Sequence, residues 1–422
     1  MISAVLTIGN ELLQGFTLDT NSTWIGKKLL SYGIHIKKMI SIPDEHNVII
    51  NETHKILNEK FDYIFITGGL GPTHDDVTKK AFCEFFSDEM YLDENYLNEL
   101  KKKITTKTKE FPEINKSQAM LLRKGEPIKN LHGSALGIHY VHGKTKLFIM
   151  PGVPFEMQYM MEKTIIPKYI NKKTNNNIVS INTTGIMESQ LAEKIDPLIK
   201  KYSKICNFAF LPSYRGVSFR LHFKKTSKKI NDIINEFNNE MKPYSYGYND
   251  ETLEYKLGNL LIKNKLTVAT AESCTGGLIG KLLTDNPGSS KYFLGSITAY
   301  DNKLKTQLLG VPEKIIKSNG AVSEQVALHM VEGLRSKTQA DIGISTTGIS
   351  GPNGGTDQKP LGLVYIGLSN KNVSKVKKFI FSFDRDIHRK ITSFFPRLTI
   401  IWKMRIKLIW VQLIFRQFIC NF

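Results

Sequence analysis

The chain has 422 residues, with a hydrophobic fraction of 41 % and a charged fraction of 23 %; this excludes a disordered chain and leaves room for two or three domains, each with its own core. The formal net charge of +19 raises the question of nucleic acid. However, the basic residues are mostly lysines scattered among Asn and Ile, as in KKTNNNI, with no Arg-rich stripe between aromatics, so a solvated lysine-rich surface is the preferred reading. The four cysteines (Cys83, Cys206, Cys274, Cys420) are far apart and form no CxxC, so no disulfide framework or zinc site is expected, and the compartment is a reducing one. The start, MISAVLTIGNELL, lacks the basic region and small-residue cleavage site of a secretion signal, and no run of about 18 apolar residues occurs. A cytoplasmic protein without a membrane span is expected.

In chain order, Ser3 to Ile8 reads as a strand turned by Gly9-Asn10-Glu11. Asn21 or Ser22 caps a helix carrying Trp24, Ile25, Leu29 and Leu30, which Gly33 ends before a strand from Ile34 to Ile40. A helix from about Asn47 to Asn58 leads to the strand Tyr63 to Thr67. That strand runs into Gly68-Gly69-Leu70-Gly71-Pro72-Thr73-His74-Asp75-Asp76. The βαβα order predicts a parallel sheet with ligands at the C-terminal ends of its strands. Gly68, Gly69 and Gly71 let backbone amides approach a phosphate, and Thr73 adds a hydroxyl. Asp75 and Asp76 would repel phosphate directly, but fit if a divalent metal such as Mg lies between carboxylate and phosphate oxygens. The competing reading makes the pair first-turn helix residues favoured by the dipole. Further on, Leu147 to Met150 is a strand, and the rigid turn from Pro151 places Glu156 at a helix start near the same sheet edge.

From about 170 to 250 the composition shifts. GIMESQLAEKIDPLI and KINDIINEFNNEMKPYS read as helices and VSFRLHF as a half-buried strand, giving a small α+β domain without a nucleophile, glycine loop or ligand cluster. In the remaining part, Leu266, Val268 and Ala269 end a strand, and Glu272-Ser273-Cys274-Thr275-Gly276-Gly277 turns it into a helix carrying Leu278, Ile279, Leu282 and Leu283. Such a turn leaves backbone N–H groups for an anion or oxyanion and offers two hydroxyls and a thiol as nucleophiles. The plain alternative is a strand–helix turn with Thr275 as N-cap. Tyr300 and Lys305 straddle the next strand–helix junction. A strand from Ile342 to Thr346 then enters a glycine-rich loop in which Thr347, Gly348 and Gly351 suit contact with a phosphate or ribose, or simply make a wide turn.

GGLGPTHDDVT, MPGVPFEM, TLEYKLGNLL and AESCTGG, in that order, resemble the CinA (competence/damage-inducible) family over residues 1 to about 390. The resemblance implies an α/β protein in three parts. Residues 1–168 would be a molybdopterin-binding-like parallel-sheet domain, 169–250 a small KH-like α+β connecting domain, and 251–392 an α/β domain similar to nicotinamide-nucleotide amidase. That enzyme hydrolyses nicotinamide mononucleotide (NMN) to nicotinate mononucleotide and ammonia, with no cofactor. Carried over, Ser273 would be the nucleophile, Tyr300 and Lys305 its helpers, and Thr275, Gly276, Gly277, Thr347, Gly348 and Gly351 the substrate-binding residues. The residue types agree: a serine needs a base, and a lysine kept neutral by burial can serve. Cys274 is the rival nucleophile, but no histidine lies in these motifs to make it a thiolate. The family usually has Ala where Ser350 stands. The resemblance also implies a homodimer, small nucleotide substrates and, in the first domain, a divalent-metal-dependent ADP-ribose pyrophosphatase. Gly68, Gly69, Gly71 and Thr73 would take phosphate there and Asp75 and Asp76 the metal; the group that activates water is not assigned, Glu11 and Glu156 being candidates only. The alternative is a competence- or DNA-damage-related binding protein without catalysis. FDRDIHRKIT matches the family, whereas residues 393–422 depart from it. From Pro396 onward there are five basic residues (Arg397, Lys403, Arg405, Lys407, Arg416) and no acidic one. This stretch reads as a basic, apolar tail, either an interfacial helix or the product of a reading-frame change.

Overall fold

Long apolar runs flanked by glycine punctuation become the central strands of two separate sheets. The structure, a computed structural model, describes residues 1–74, 76–106, 110–170, 178–224 and 229–405, with side chains to 401. It forms two units, Met1–Asn176 and Asn177–Phe422.

In the first unit, β1 (Ile2–Ile8), β2 (His35–Ile42) and β3 (Tyr63–Thr67) pair in parallel, as the alternation predicts. The short strands β4 (Met90–Leu92) and β5 (Met120–Leu122) form a separate ribbon, and β6 (Glu126–Ile128), β7 (Gly137–His142) and β8 (Thr145–Met150) complete the main sheet in the order β2-β1-β3-β8-β7-β6. Because helices cover both faces, β3 is buried at every position, as expected of a parallel strand. Leu6, Ile64, Ile66 and Leu147 pack on one side against Ile49, Ile56 and Phe82. Val5, Phe65 and Phe148 pack on the other against Ile25, Leu29 and Met157. The antiparallel margin formed by β6 and β7 is not part of the expected pattern.

The second unit begins with β9 (Ile178–Thr183), the helix Glu188–Tyr202, β10 (Cys206–Ser213), β11 (Gly216–Phe223), the helix Ile230–Met241 and β12 (Ser245–Tyr248). All neighbours in the order β10-β11-β9-β12 are antiparallel, the split βαβ arrangement. Along β11, Val217, Phe219, Leu221 and Phe223 turn inward alternately.

The last sheet contains β13 (Val268–Glu272), β14 (Phe293–Thr298), β15 (Ile342–Gly348), β16 (Leu363–Ser369) and β17 (Ser374–Ile380), in the order β14-β13-β15-β16-β17. β14, β13 and β15 are parallel, so their C-terminal ends share one edge. The closing helix, Arg385–Arg405, corrects the expectation of a tail beginning at 393. Every residue from Ile391 to Ile401 is buried; Phe394, Phe395, Leu398 and Ile401 share one core with Leu257, Val268, Ile279 and Phe379. Inside that core the Arg397 guanidinium is ion-paired with the Glu254 carboxylate, the two side chains being 2 % and 5 % exposed, and Arg397 Nε donates to the Ser393 carbonyl at 2.7 Å. Residues 406–422 of the expected tail lie outside the described residues. Among the described residues, no helix is long and apolar enough to cross a membrane.

Candidate functional site

At the C-terminal edge of the parallel strands in the second unit, β13 gives way to the turn Ser273–Gly277. Positive φ at Gly276 (61°) and Gly277 (89°) carries the chain into the helix Leu278–Thr284, a backbone region that glycine enters without strain. Ser273 is 8 % exposed, and its N–H donates to the Thr346 carbonyl at 3.0 Å. Thr275 is not the N-cap: Gly277 holds that position, and the Thr275 hydroxyl pairs with that of Thr346 at 2.8 Å. The turn offers fewer open amides than expected. Gly276 N–H donates to Ser273 O and Leu278 N–H to Thr275 O, while the Glu272 carboxylate accepts from Ile279 and Gly280.

Lys305 enters from the helix Asn302–Leu309, which is capped by Asp301. It is 1 % exposed. Burial pushes its amine below the ordinary lysine value, against the smaller upward pull of Asp301 and Cys274. Nζ donates to the Tyr300 carbonyl at 2.8 Å, so the lysine meets the tyrosine's backbone rather than its phenol. The Tyr300 side chain is 60 % exposed, and its hydroxyl accepts from Arg385 at 3.3 Å. Among the described residues no hydrogen bond joins the Ser273 hydroxyl to Lys305 or to Tyr300, whose polar atoms meet the Tyr300 carbonyl and Arg385 instead. Cys274 is buried, and burial, reinforced by the Glu272 charge, pushes its thiol up to about 12, a packed thiol and not a thiolate.

Thr347 donates to the Ala321 carbonyl at 2.8 Å, and Gly348 is still within the β15–β16 ladder. Gly351, with φ 75°, opens the loop beyond. Two residues that the motifs did not assign close the site. Arg385 donates to Gly351 O at 2.8 Å, and Arg389, one turn later on the closing helix, donates to Thr275 O at 3.0 Å. The i, i+4 spacing of two arginines at a helix start was the available signal. Arg389 Nε and Ser350 Oγ are buried without a hydrogen-bond partner among the described residues.

In the first unit, β3 ends in the glycine loop. A Cβ at Gly68 would lie 1.9 Å from the Ile8 carbonyl, and one at Gly69 would lie 2.1 Å from Thr78 Oγ1, so the loop passes against β1 and the start of the helix Thr78–Phe85 as only glycine can. Asp76 turns inward and accepts from Gly71 N–H (2.7 Å), Thr73 N–H (2.9 Å) and Thr73 Oγ1 (2.5 Å). The Gly71 amide and the Thr73 hydroxyl expected to greet phosphate are thus used to close the loop. Asp75 lies outside the described residues. Among the described residues no group of three or more His, Cys, Asp or Glu could hold a metal ion; of the expected pair, Asp76 alone lies within them. Glu156 accepts from Asn130 Nδ2 at 2.6 Å. Lys79, beside Asp76, is lowered by burial to about 8.

These features define a modular α/β protein with two unrelated strand-end sites. Comparison with known proteins gives a match to the "Probable molybdopterin binding domain" model over residues 4–170, the "Damage-inducible protein CinA KH domain" over 180–247 and the "CinA C-terminal domain" over 250–394. A putative competence-damage inducible protein of Halothermothrix orenii is 37 % identical over 401 residues, covering 93 % of this chain and 96 % of that one. A CinA-like protein of Flavobacterium psychrophilum is 37 % identical over 397 residues, 92 % of this chain and 94 % of that one. A crystal structure of the protein CinA with unknown function from Thermoplasma acidophilum aligns at 31 % identity over 40 % of this chain and 97 % of that one, with a TM-score of 0.36. The chain belongs to the CinA family.

Proposed function

We propose that the C-terminal part of the chain hydrolyses the carboxamide of NMN, releasing ammonia and nicotinate mononucleotide. The observation that carries this reading is Lys305: a lysine buried at the same sheet edge as Ser273, its amine pushed toward the neutral form. Neutral Lys305 takes the proton as the Ser273 hydroxyl adds to the amide carbon. The tetrahedral intermediate collapses, and the nitrogen leaves as ammonia with that proton. Water then adds to the acyl ester, frees the carboxylate and returns a proton to Ser273. Arg385 and Arg389 supply positive charge at the rim for the nucleotide's phosphate. The test is ammonia release from NMN by the purified chain. Ser273→Ala is expected to abolish it and Cys274→Ala to keep most of it; the reverse order would sink the assignment.

A second reading concerns the first unit. Its glycine loop follows directly on β3, at the strand-end edge where parallel sheets take their ligands, and ADP-ribose is the substrate implied by the resemblance. Release of AMP and ribose 5-phosphate from ADP-ribose, with and without a chelator, tests both the activity and its need for a metal.

A further inference from the structure

One charged side chain lies beneath the Ser273 turn. β13 is a strand of small and apolar residues, Val268-Ala269-Thr270-Ala271, that ends in Glu272, and Glu272 is 0 % exposed. Its carboxylate is saturated. Oε2 accepts from Ile279 N–H at 3.0 Å, and Oε1 accepts from Gly280 N–H at 2.8 Å, Thr270 Oγ1 at 3.1 Å and Ser296 Oγ at 3.3 Å. Its carbonyl accepts from Ala299 N–H at 2.9 Å. The chain therefore leaves Glu272, arches through Ser273–Gly277, and returns to the same carboxylate at the first turn of the next helix. β14 ties to that carboxylate from the side through Ser296.

We propose that Glu272 is the positioning residue of this site, its buried carboxylate setting the geometry from which the Ser273 hydroxyl attacks. This inference rests on the reading of Ser273 as the nucleophile. Acceptors held by charge-assisted bonds in a dry interior are stiff, and a serine anchored next to such a group loses little freedom before reaction. The same carboxylate uses the second and third amides of the helix, Ile279 and Gly280, which leaves the substrate's anion to Arg385 and Arg389. Its charge also opposes ionisation of Cys274, so the hydroxyl is the nucleophile that the turn presents.

The variant Glu272→Gln keeps the shape but turns a donor toward one of the two amides, Ile279 or Gly280, that the carboxylate now accepts from. We expect kcat for ammonia release to fall about 100-fold, the scale of a small misplacement of a reacting group, with KM within about threefold. Labelling of Ser273 by a fluorophosphonate probe, followed by intact mass, should slow in parallel. A folded Glu272→Gln protein with unchanged kcat, or one changed only in KM, overturns the proposal. If that variant does not fold, the double variant Thr270→Val, Ser296→Ala removes two donors and leaves the charge; a kcat and labelling rate equal to wild type would overturn it equally. A wild-type chain that is labelled at Ser273 but releases no ammonia refutes NMN as substrate, while the labelling rates still decide the role of Glu272. A chain that does neither refutes both.

Discussion

Replacing Arg397 by methionine should unfold the C-terminal core at a markedly lower temperature. The guanidinium and the Glu254 carboxylate are buried against each other. Burial alone would raise the Glu254 carboxyl, and the Arg397 charge overrides it and holds it below the ordinary value. Removing one partner leaves a buried charge uncompensated, at a cost of about 3–5 kcal/mol. For a unit of this size that corresponds to a melting temperature lower by roughly 6–20 °C. Replacing both partners by apolar residues of similar volume, Arg397→Met with Glu254→Leu, should recover most of the loss. The assay is thermal unfolding by circular dichroism, with urea titration for the free energies. The pH arm has a definite sign. A carboxyl whose folded pKa is depressed contributes stability above its ordinary value of 4.5 and loses it as pH falls through the folded value. The gap between the wild type and the Arg397→Met, Glu254→Leu double variant should therefore change below pH 4.5 and not between 6 and 8. A single variant within about 1 kcal/mol of wild type, or a double variant as weak as the single, would refute the reasoning.

Arg389→Ala and Arg385→Ala should each lower kcat/KM for NMN by roughly 10- to 100-fold, the scale of a charge-assisted contact. The same loss with the dephosphorylated nucleoside would show that they do not read phosphate. The ascending limb of kcat/KM against pH should lie below 10.5, because burial depresses Lys305. Between its folded value and 10.5 the native state binds fewer protons than the unfolded chain, so this group's contribution to stability rises with pH there. Ser350→Ala removes a buried hydroxyl that has no partner among the described residues and should leave the melting temperature equal or higher, by up to about 1 kcal/mol in free energy. Filter binding at physiological ionic strength should show no retention of DNA, since residues 178–248 contain no Gly-x-x-Gly, the loop by which KH modules clamp a strand; salt-dependent retention would favour the binding reading.

What the motifs announced was local. The strand Tyr63–Thr67 was readable residue for residue because an unbroken apolar run between Asp62 and Gly68 admits little else. The turn at Ser273 was equally plain, since strand, small residues and helical spacing follow within a dozen positions. The inward turn of Asp76 was not legible: the same sequence serves a cation or a self-closed loop, and only geometry separates them. Arg389 reaches the turn from 114 residues away, and the Arg397–Glu254 pair spans 143. The burial of the closing helix was not legible for a physical reason. Burial at every position from Ile391 to Ile401 removes the polar face that gives a helix its period, and a stretch with basic residues and no acidic one reads equally as an interfacial helix or as a departure from the family's own ending.

That helix also orders events during synthesis. Every strand of the last sheet emerges from the ribosome before residues 391–401, yet Leu257, Val268 and Phe379 bury themselves against it. The first unit can close as soon as its own sheet is made. The C-terminal core must wait, with an open apolar cleft, for the last segment to arrive. A ribosome stalled near residue 390 would carry a finished first unit and an unfinished second one, exposed to chaperones and proteases in the interval.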